Sequence, residues 1–239
     1  MGQDDSDAQV RRLWRHRGTT LPTPRRGPRQ QLDLDAVLDT AAALADAGGL
    51  AAVSTRAVAA AFGKTPMALY PYVGTKANLL ELLRDHVSAL PAWRDPGPSA
   101  AADLTAWGTA LFDLYAAHPW LAAESWARTG RGPNERDWME RLLGILHAWH
   151  VPPAGHAPIV TVLYATVRAC AETDADYRRL GPDGAAEWLA HAEATRRQIP
   201  DLAERYPLAA ALTPVTPDWA DNPRATIARA AGLLTATGR

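Results

Sequence analysis

Residues 54–80 read STRAVAAAFGKTPMALYPYVGTKANLL, and the punctuation of this stretch decides the fold. Ser54 is a good helix N-cap, because its hydroxyl can accept a bond from an orphan backbone N–H in the first turn. Val58, Ala59 and Phe62 then form a short inward face at helical spacing. Gly63 ends that segment, and a second short helix is predicted from Thr65 to Tyr72. Gly74 breaks the chain again. Thr75 caps a longer helix with Leu79, Leu80, Leu82, Leu83, Val87 and Leu90 inside, ending before Pro91. Upstream, Asp33 is placed to cap a helix whose apolar face is Leu34, Val37, Leu38, Ala41, Leu44 and Ala45, and Gly48-Gly49 stop it. Two short helices across a glycine turn are too short to be stable alone and need a third helix to pack on. The layout is a helix-turn-helix, whose second short helix would lie in a DNA major groove while the first crosses the backbone.

The ordered set Ser54-Thr55-Arg56-Ala57-Val58-Ala59, Phe62-Gly63, Leu69-Tyr70, Tyr72-Val73 and Lys76-Ala77-Asn78-Leu79-Leu80 resembles, without a gap, the DNA-binding domain of tetracycline-repressor-type regulators. The resemblance is clear over residues 33–90 and only architectural beyond. It implies that Thr55 and Arg56 touch phosphate and a base edge, and that Lys64, Thr65, Pro66, Met67 and Ala68 open the recognition helix toward the groove. It also implies that Tyr70 and Tyr72 brace the sugar-phosphate backbone and that Lys76 neutralises a phosphate. Leu69 and Phe62 are read as core. The sequence departs from the family pattern where Pro66 and Met67 replace polar groups, Pro71 replaces an aromatic or basic residue, and Tyr72 replaces histidine. Few bidentate donors remain for direct readout. Specificity is therefore expected from Arg56, Lys64, thymine-methyl contacts of Met67 and Ala68, and a basic arm.

That arm is the stretch from Ala8 to Leu32, which holds no acid and seven arginines: Arg11, Arg12, Arg15, Arg17, Arg25, Arg26 and Arg29. Pro22, Pro24, Gly27 and Pro28 prevent a continuous helix there. Residues 1–32 are read as a flexible arm without a fold of its own, with Arg25, Arg26 and Arg29 reaching a minor groove. A solvated tail is the alternative.

Residues 91–239 are expected to form a larger helical body, with helices at about 99–117, 119–128, 133–149, 154–179, 183–197, 201–212 and 222–236. No strand-like alternation of useful length appears, so the class is all-α. The family resemblance implies that this body binds a small molecule and forms a homodimer, with 154–179 and 222–236 as the seam. Two copies on a two-fold axis are also the usual route to affinity for a module that reads few base pairs. Nine tryptophans are many for this length. Trp107, Trp126, Trp138, Trp149, Tyr164 and Trp188, with Leu111 and Leu142 and the polar His147 and Arg168, are the candidate lining of a pocket for a flat aromatic ligand. Each ring singly suits a core position, so about a third of the set is expected to line a cavity.

Composition narrows the classes. With 239 residues, 47% of them hydrophobic and 21% charged, the chain has ordinary globular usage. A net charge of -1 gives no whole-protein field toward any partner. The single Cys170 excludes an internal disulfide framework and fits a reducing compartment. No apolar run is long enough to span a bilayer and no signal peptide is evident, so a cytoplasmic protein with no membrane partner is expected. His147 and His150 lack a third metal ligand, and Glu172, Asp174 and Asp176 lack a calcium-loop frame. No nucleophile elbow or nucleotide loop is present, so no cofactor and no enzyme activity are expected. The expected function is that of a repressor released from a palindromic operator by an aromatic or polycyclic metabolite or drug. A ligand-sequestering protein with weak DNA binding is the alternative.

Overall fold

The computed structural model describes residues 3–18, 32–93, 96–124, 132–211 and 222–236. Among these residues the chain is helical and holds no strand. The reader-like part comprises α1 (Gln3–Leu13), α2 (Leu34–Ala52), α3 (Thr55–Ala61), α4 (Pro66–Val73) and α5 (Lys76–Val87). Capping follows the sequence: Asp33 accepts from Asp35 N, Ser54 from Ala57 N and Thr75 from Asn78 N. Gly48 and Gly49 have non-helical torsions, so α2 is interrupted where the glycine pair predicts. α5 stops at Val87, short of Leu90, where the Ser88 hydroxyl turns back to Arg84 O. Val37, Leu38 and Ala41 of α2 meet Val58, Leu69, Val73, Leu79, Leu82 and Leu83 in one core, each fully buried.

The body comprises α6 (Ala100–Ala117), α7 (Pro119–Ala122), α8 (Pro133–Ala148), α9 (Pro153–Gln198), α10 (Leu202–Arg205), α11 (Pro207–Ala211) and α12 (Asn222–Ala236). Its core is built by α6, α8, α9 and α12 around Leu104, Trp107, Phe112, Leu142, Leu146, Leu163 and Ile227. The two helices expected at 154–179 and 183–197 are the two halves of α9, separated at Gly181, whose φ of 61° no right-handed helix holds. The helix expected at 201–212 is two short pieces separated at Tyr206; of the predicted 119–128 helix Pro119–Ala122 are helical, Ala123 and Glu124 form a turn instead, and 125–128 lie outside the described residues.

The largest correction concerns the N-terminus. Residues 1–32 were expected to be a flexible arm, yet Gln3–Leu13 form a helix that packs on α5. Gln9 and Leu13, four apart and so on one face, are 5% and 4% exposed. Leu13 joins the reader's core, and Gln9 Nε2 donates to Asn78 O at 3.2 Å and to Glu81 Oε2 at 2.8 Å. Basic composition hid an amphipathic helix, in which Asp5, Asp7 and Val10 are exposed while Gln9 and Leu13 are buried. Burying one leucine contributes about 2 kcal/mol, enough to favour a docked helix over a solvated one.

Candidate nucleic-acid interface and adjoining cavity

Helix α4 is held from behind by Leu69 and Val73, both fully buried, which turns its other face outward. Thr65 takes the cap position and Pro66 the first turn, where its missing N–H costs nothing. Lys64, Thr65, Pro66, Met67, Tyr70 and Pro71 are exposed, Met67 to 76%. Ala68 and Tyr72 are half-buried, and Tyr72 packs against the core. On α3, Thr55 is half-buried and Arg56 exposed; on α5, Lys76 is exposed. A large exposed methionine and tyrosine beside cations on one edge is a surface shaped to meet another molecule. Arg25, Arg26 and Arg29 lie outside the described residues.

The basic N-terminal residues within the described part are mostly engaged with carboxylates. Arg15 and His16 both pair with Asp35, His86 bonds Asp39 at 2.7 Å, and Arg17 reaches Asp137 on α8. Burial works against the charge of Asp35, but hydrogen bonds from Arg15 and His16 outweigh it and hold the carboxyl below its usual range. Arg12 is different, because its Nη2 donates to the main-chain oxygen of Pro71 at 3.3 Å.

A second set of contacts ties α5 to the body. The N-cap position of α8 is Gly132, which supplies no side-chain cap. Asp85 of α5 supplies it instead: its Oδ1 accepts from Asn134 N at 2.9 Å and Glu135 N at 3.1 Å. A Cβ on Gly132 would come within 2.1 Å of that carboxylate, so glycine is required for the two helices to meet this way. Asn134 Nδ2 returns a bond to Asp85 O at 2.9 Å. Burial pushes the Asp85 carboxyl up to about 6, against the pull of the α8 backbone amides. Trp138 Nε1 donates to Ser88 O at 2.9 Å, and Trp107 Nε1 donates to Trp138 O at 3.1 Å. Trp107 also meets the rings of Trp138 and Tyr164 edge-on. Elsewhere on the joint, Trp120 and His118 both bond Asp46 of α2, at 2.7 and 2.8 Å.

Beside these contacts lies a cavity of about 330 Å³. Leu111, Leu114, Leu121, Trp138 and Met139 form its apolar wall, and Tyr115 and Tyr164 add phenols. Arg84 and Ser88 of α5, with Glu124, Glu135 and Arg136, give it a polar side. Arg84 Nη2 stands 3.6 Å from Glu124 Oε2. Burial pushes the Tyr115 phenol up to about 12 and raises Tyr164 as well, so both present neutral hydroxyls.

Of the predicted pocket residues, Leu111, Trp138 and Tyr164 line this cavity. Trp107 and Leu142 are fully buried behind it in the core. Arg168 pairs along its own helix with Glu172 at 3.5 Å. His147 is exposed near the far end of α8, and Trp149 is 37% exposed with its Nε1 on Asp103. Trp188 is 54% exposed on the second half of α9. Trp126 lies outside the described residues. Counting aromatics found two rings of the wall, Trp138 and Tyr164, and missed Tyr115 and the charged side. The overlooked signal was polar residues on an inward stripe: Asp85 and Ser88 continue the three-residue step of Leu82 along α5.

Residues 37–83 match the family described as bacterial regulatory proteins of the tetR family. Over 233 residues the chain is 34% identical to the HTH-type transcriptional repressor DrrR1 of Streptomyces coeruleorubidus, covering 91% of this chain and 82% of that one. The chain belongs to the TetR family. Its fold is shared with the TetR protein ActR of Streptomyces coelicolor in complex with actinorhodin, at a TM-score of 0.68 and 26% identity over 87% of this chain and 98% of ActR. Apo ActR matches at a TM-score of 0.67 and 25% identity over the same shares. TetR regulators act on operator DNA, respond to small-molecule effectors and work as dimers, and they are not enzymes. No described helix is long and apolar enough to cross a membrane.

Proposed function

We propose that this TetR-family chain is a cytoplasmic repressor that holds a palindromic operator as a homodimer and is released by an aromatic or polycyclic small molecule bound in the cavity beside α5. Residues 33–90 are the reader and 91–239 the effector and dimer body. The observation that carries the reading is that Arg84 and Ser88 of the cavity wall are in the last turn and at the C-cap of α5, the helix that begins at Lys76 beside α4. A ligand that changes how α5 seats changes the spacing of the two recognition helices in a dimer. It must bind one spacing better than the other, since equal affinity moves no population.

Thr55, Arg56, Lys64, Thr65, Pro66, Met67, Ala68, Tyr70, Tyr72 and Lys76 are the DNA contacts. The half-sites are spaced by multiples of about 34 Å. The first half of α9 and α12 form the dimer seam, which their packing on each other and their outward Val162 and Leu233 support. The effector set is revised to Leu111, Trp138, Tyr164, Tyr115, Arg84 and Glu124, which favours a flat apolar body with hydroxyl or carboxyl groups at one edge. ActR's crystallised ligand, actinorhodin, is a suitable first probe.

The test is fluorescence anisotropy on the duplex upstream of the chain's own gene, with actinorhodin added to the preformed complex. The expected result is salt-sensitive nanomolar binding, dissociation on addition, and quenching of tryptophan emission that Trp138→Phe weakens. Absent or salt-insensitive binding to DNA would refute the reading. Tight binding of the probe without DNA affinity would favour sequestration instead.

A further inference from the structure

The α1 helix lies outside the residues matched to the family, and it brings one cation to the DNA-facing edge. Three observations bear on Arg12. First, among the described residues it makes no ion pair, whereas Arg15 and Arg17 nearby are each held by a carboxylate. Asp5, a negative charge on the same helix, acts on it only from beyond ion-pair distance. Second, its place is fixed. Nη2 rests on Pro71 O, at the end of α4, and Nη1 lies 3.4 Å from where a Cβ of Gly74 would stand. Gly74 has φ +68° and is the turn from α4 into α5, so the guanidinium rests on the turn that separates exposed Tyr70 from exposed Lys76 in the chain. Third, the helix that carries it is anchored by buried Leu13 and Gln9, which holds the side chain in register before any partner arrives.

A carbonyl oxygen uses one of the five N–H donors of a guanidinium and none of its charge. The remaining donors and the charge suit an anion with two acceptor oxygens set for bidentate bonding, such as the non-bridging oxygens of a phosphodiester. Partial burial disfavours the cation by more than Asp5 favours it, lowering the pKa of Arg12, and a phosphate in contact would add the close anionic partner that Asp5 is not.

We infer that Arg12 is a phosphate contact of the operator complex, so that α1 is a part of the DNA interface outside the helix-turn-helix. This rests on the DNA-binding reading above. Its consequence is that the extra helix extends the electrostatic footprint of each subunit by one backbone contact next to Lys76, and adds affinity without sequence preference.

The experiment uses the full chain and a duplex selected by the wild type from a random pool, with affinity measured across a salt series. Arg12→Ala, Arg12→Gln and Arg12→Lys are compared with Lys76→Ala. Each lost phosphate contact removes about 0.9 from the slope of log affinity against log salt, so a dimer lacking Arg12 loses about 1.8. Arg12→Ala and Arg12→Gln are expected to lose that slope with about tenfold or greater weakening, equally on unrelated sequences, while Arg12→Lys keeps the slope. Should Arg12→Ala be poorly folded by far-UV circular dichroism, Arg12→Gln decides, since its amide can still donate to Pro71 O. An unchanged slope in Arg12→Gln, with Lys76→Ala lowering it, overturns the inference and leaves the DNA reading intact. Loss of affinity at unchanged slope makes Arg12 an anchor of α1 only and also overturns it. A wild type with no salt-dependent binding to any duplex overturns both.

Discussion

Replacing Asp85 by asparagine tests the joint between α5 and α8. The carboxylate accepts two backbone N–H groups of the first turn of α8 and is 3% exposed. Asparagine keeps an acceptor oxygen of the same size and removes only the charge. In the folded chain the carboxyl titrates at about 6 instead of 3.8. Between those values the folded state binds the proton that the unfolded chain has released, so stability falls as pH rises there. The contribution is fully present below about pH 4 and lost once pH passes about 6, and that displacement is worth about 3 kcal/mol. The two α8 amides and the positive end of that helix reduce this cost without removing it. The assay is urea unfolding of wild type and Asp85→Asn at intervals from pH 4.5 to 8, plotted as the difference between the two. Constant effects of the substitution cancel in that difference. It is expected to move by about 2 kcal/mol in favour of the variant as pH rises from 4.5 to 7, and then to level. A difference flat to within 0.5 kcal/mol, about the error of such pairwise comparisons, would show that folding does not raise the Asp85 pKa and would refute the reasoning.

Gly132→Ala is expected to cost about 1–3 kcal/mol by urea melt, through overlap with the Asp85 carboxylate. In an Asp85→Gly background, which also removes the Cβ that would stand 2.6 Å away, the same change should cost much less, and equal costs in both backgrounds would refute the contact. Trp138→Phe removes the bond to Ser88 O and should cost about 1 kcal/mol, read as a lower denaturation midpoint at unchanged slope. Leu13→Ala should cost about 2–4 kcal/mol, as for other buried leucines. If α1 were a solvated tail, that variant would melt like the wild type.

The sequence made the reader legible because its signals are local. Ser54, Thr75 and Asp33 cap by bonds to amides two or three residues on, and Leu34 to Ala45 and Leu79 to Leu83 bury one face by periodicity alone. The joint was not legible for the opposite reason. Asp85 caps a helix that starts 48 positions later in the chain, and nothing in the residues around Gly132 indicates a cap from elsewhere. Of the aromatic set, Trp138 and Tyr164 line the cavity, Trp107 lies in the core, and Trp149 and Trp188 are partly exposed away from it. A tryptophan's volume suits core and cavity alike, and the distance between Trp107 behind the wall and Trp138 in it is set by packing, not by spacing. The basic N-terminus failed similarly: composition counted its charges, while Gln9 and Leu13 decided that they would be held in place.

A helix capped by a neighbour's side chain differs mechanically from one that caps itself. If α8 carried its own serine or aspartate at position 132, its first turn would be satisfied wherever α5 lay. With glycine there, moving α5 away leaves two backbone amides and a partly desolvated carboxylate without partners, each costing about 1–3 kcal/mol. The α5–α8 contact therefore resists small displacements and gives way as a unit, which is the behaviour of a two-state joint and not of a spring. The cavity opens directly onto it, with Ser88 and Arg84 on one side and Trp138 and Glu135 on the other. On the proposed function, an effector seated there does not need to push the recognition helices. It needs only to bind better when that joint is in one of its two positions, by the few kcal/mol that the two amides and the Trp138 bond together represent.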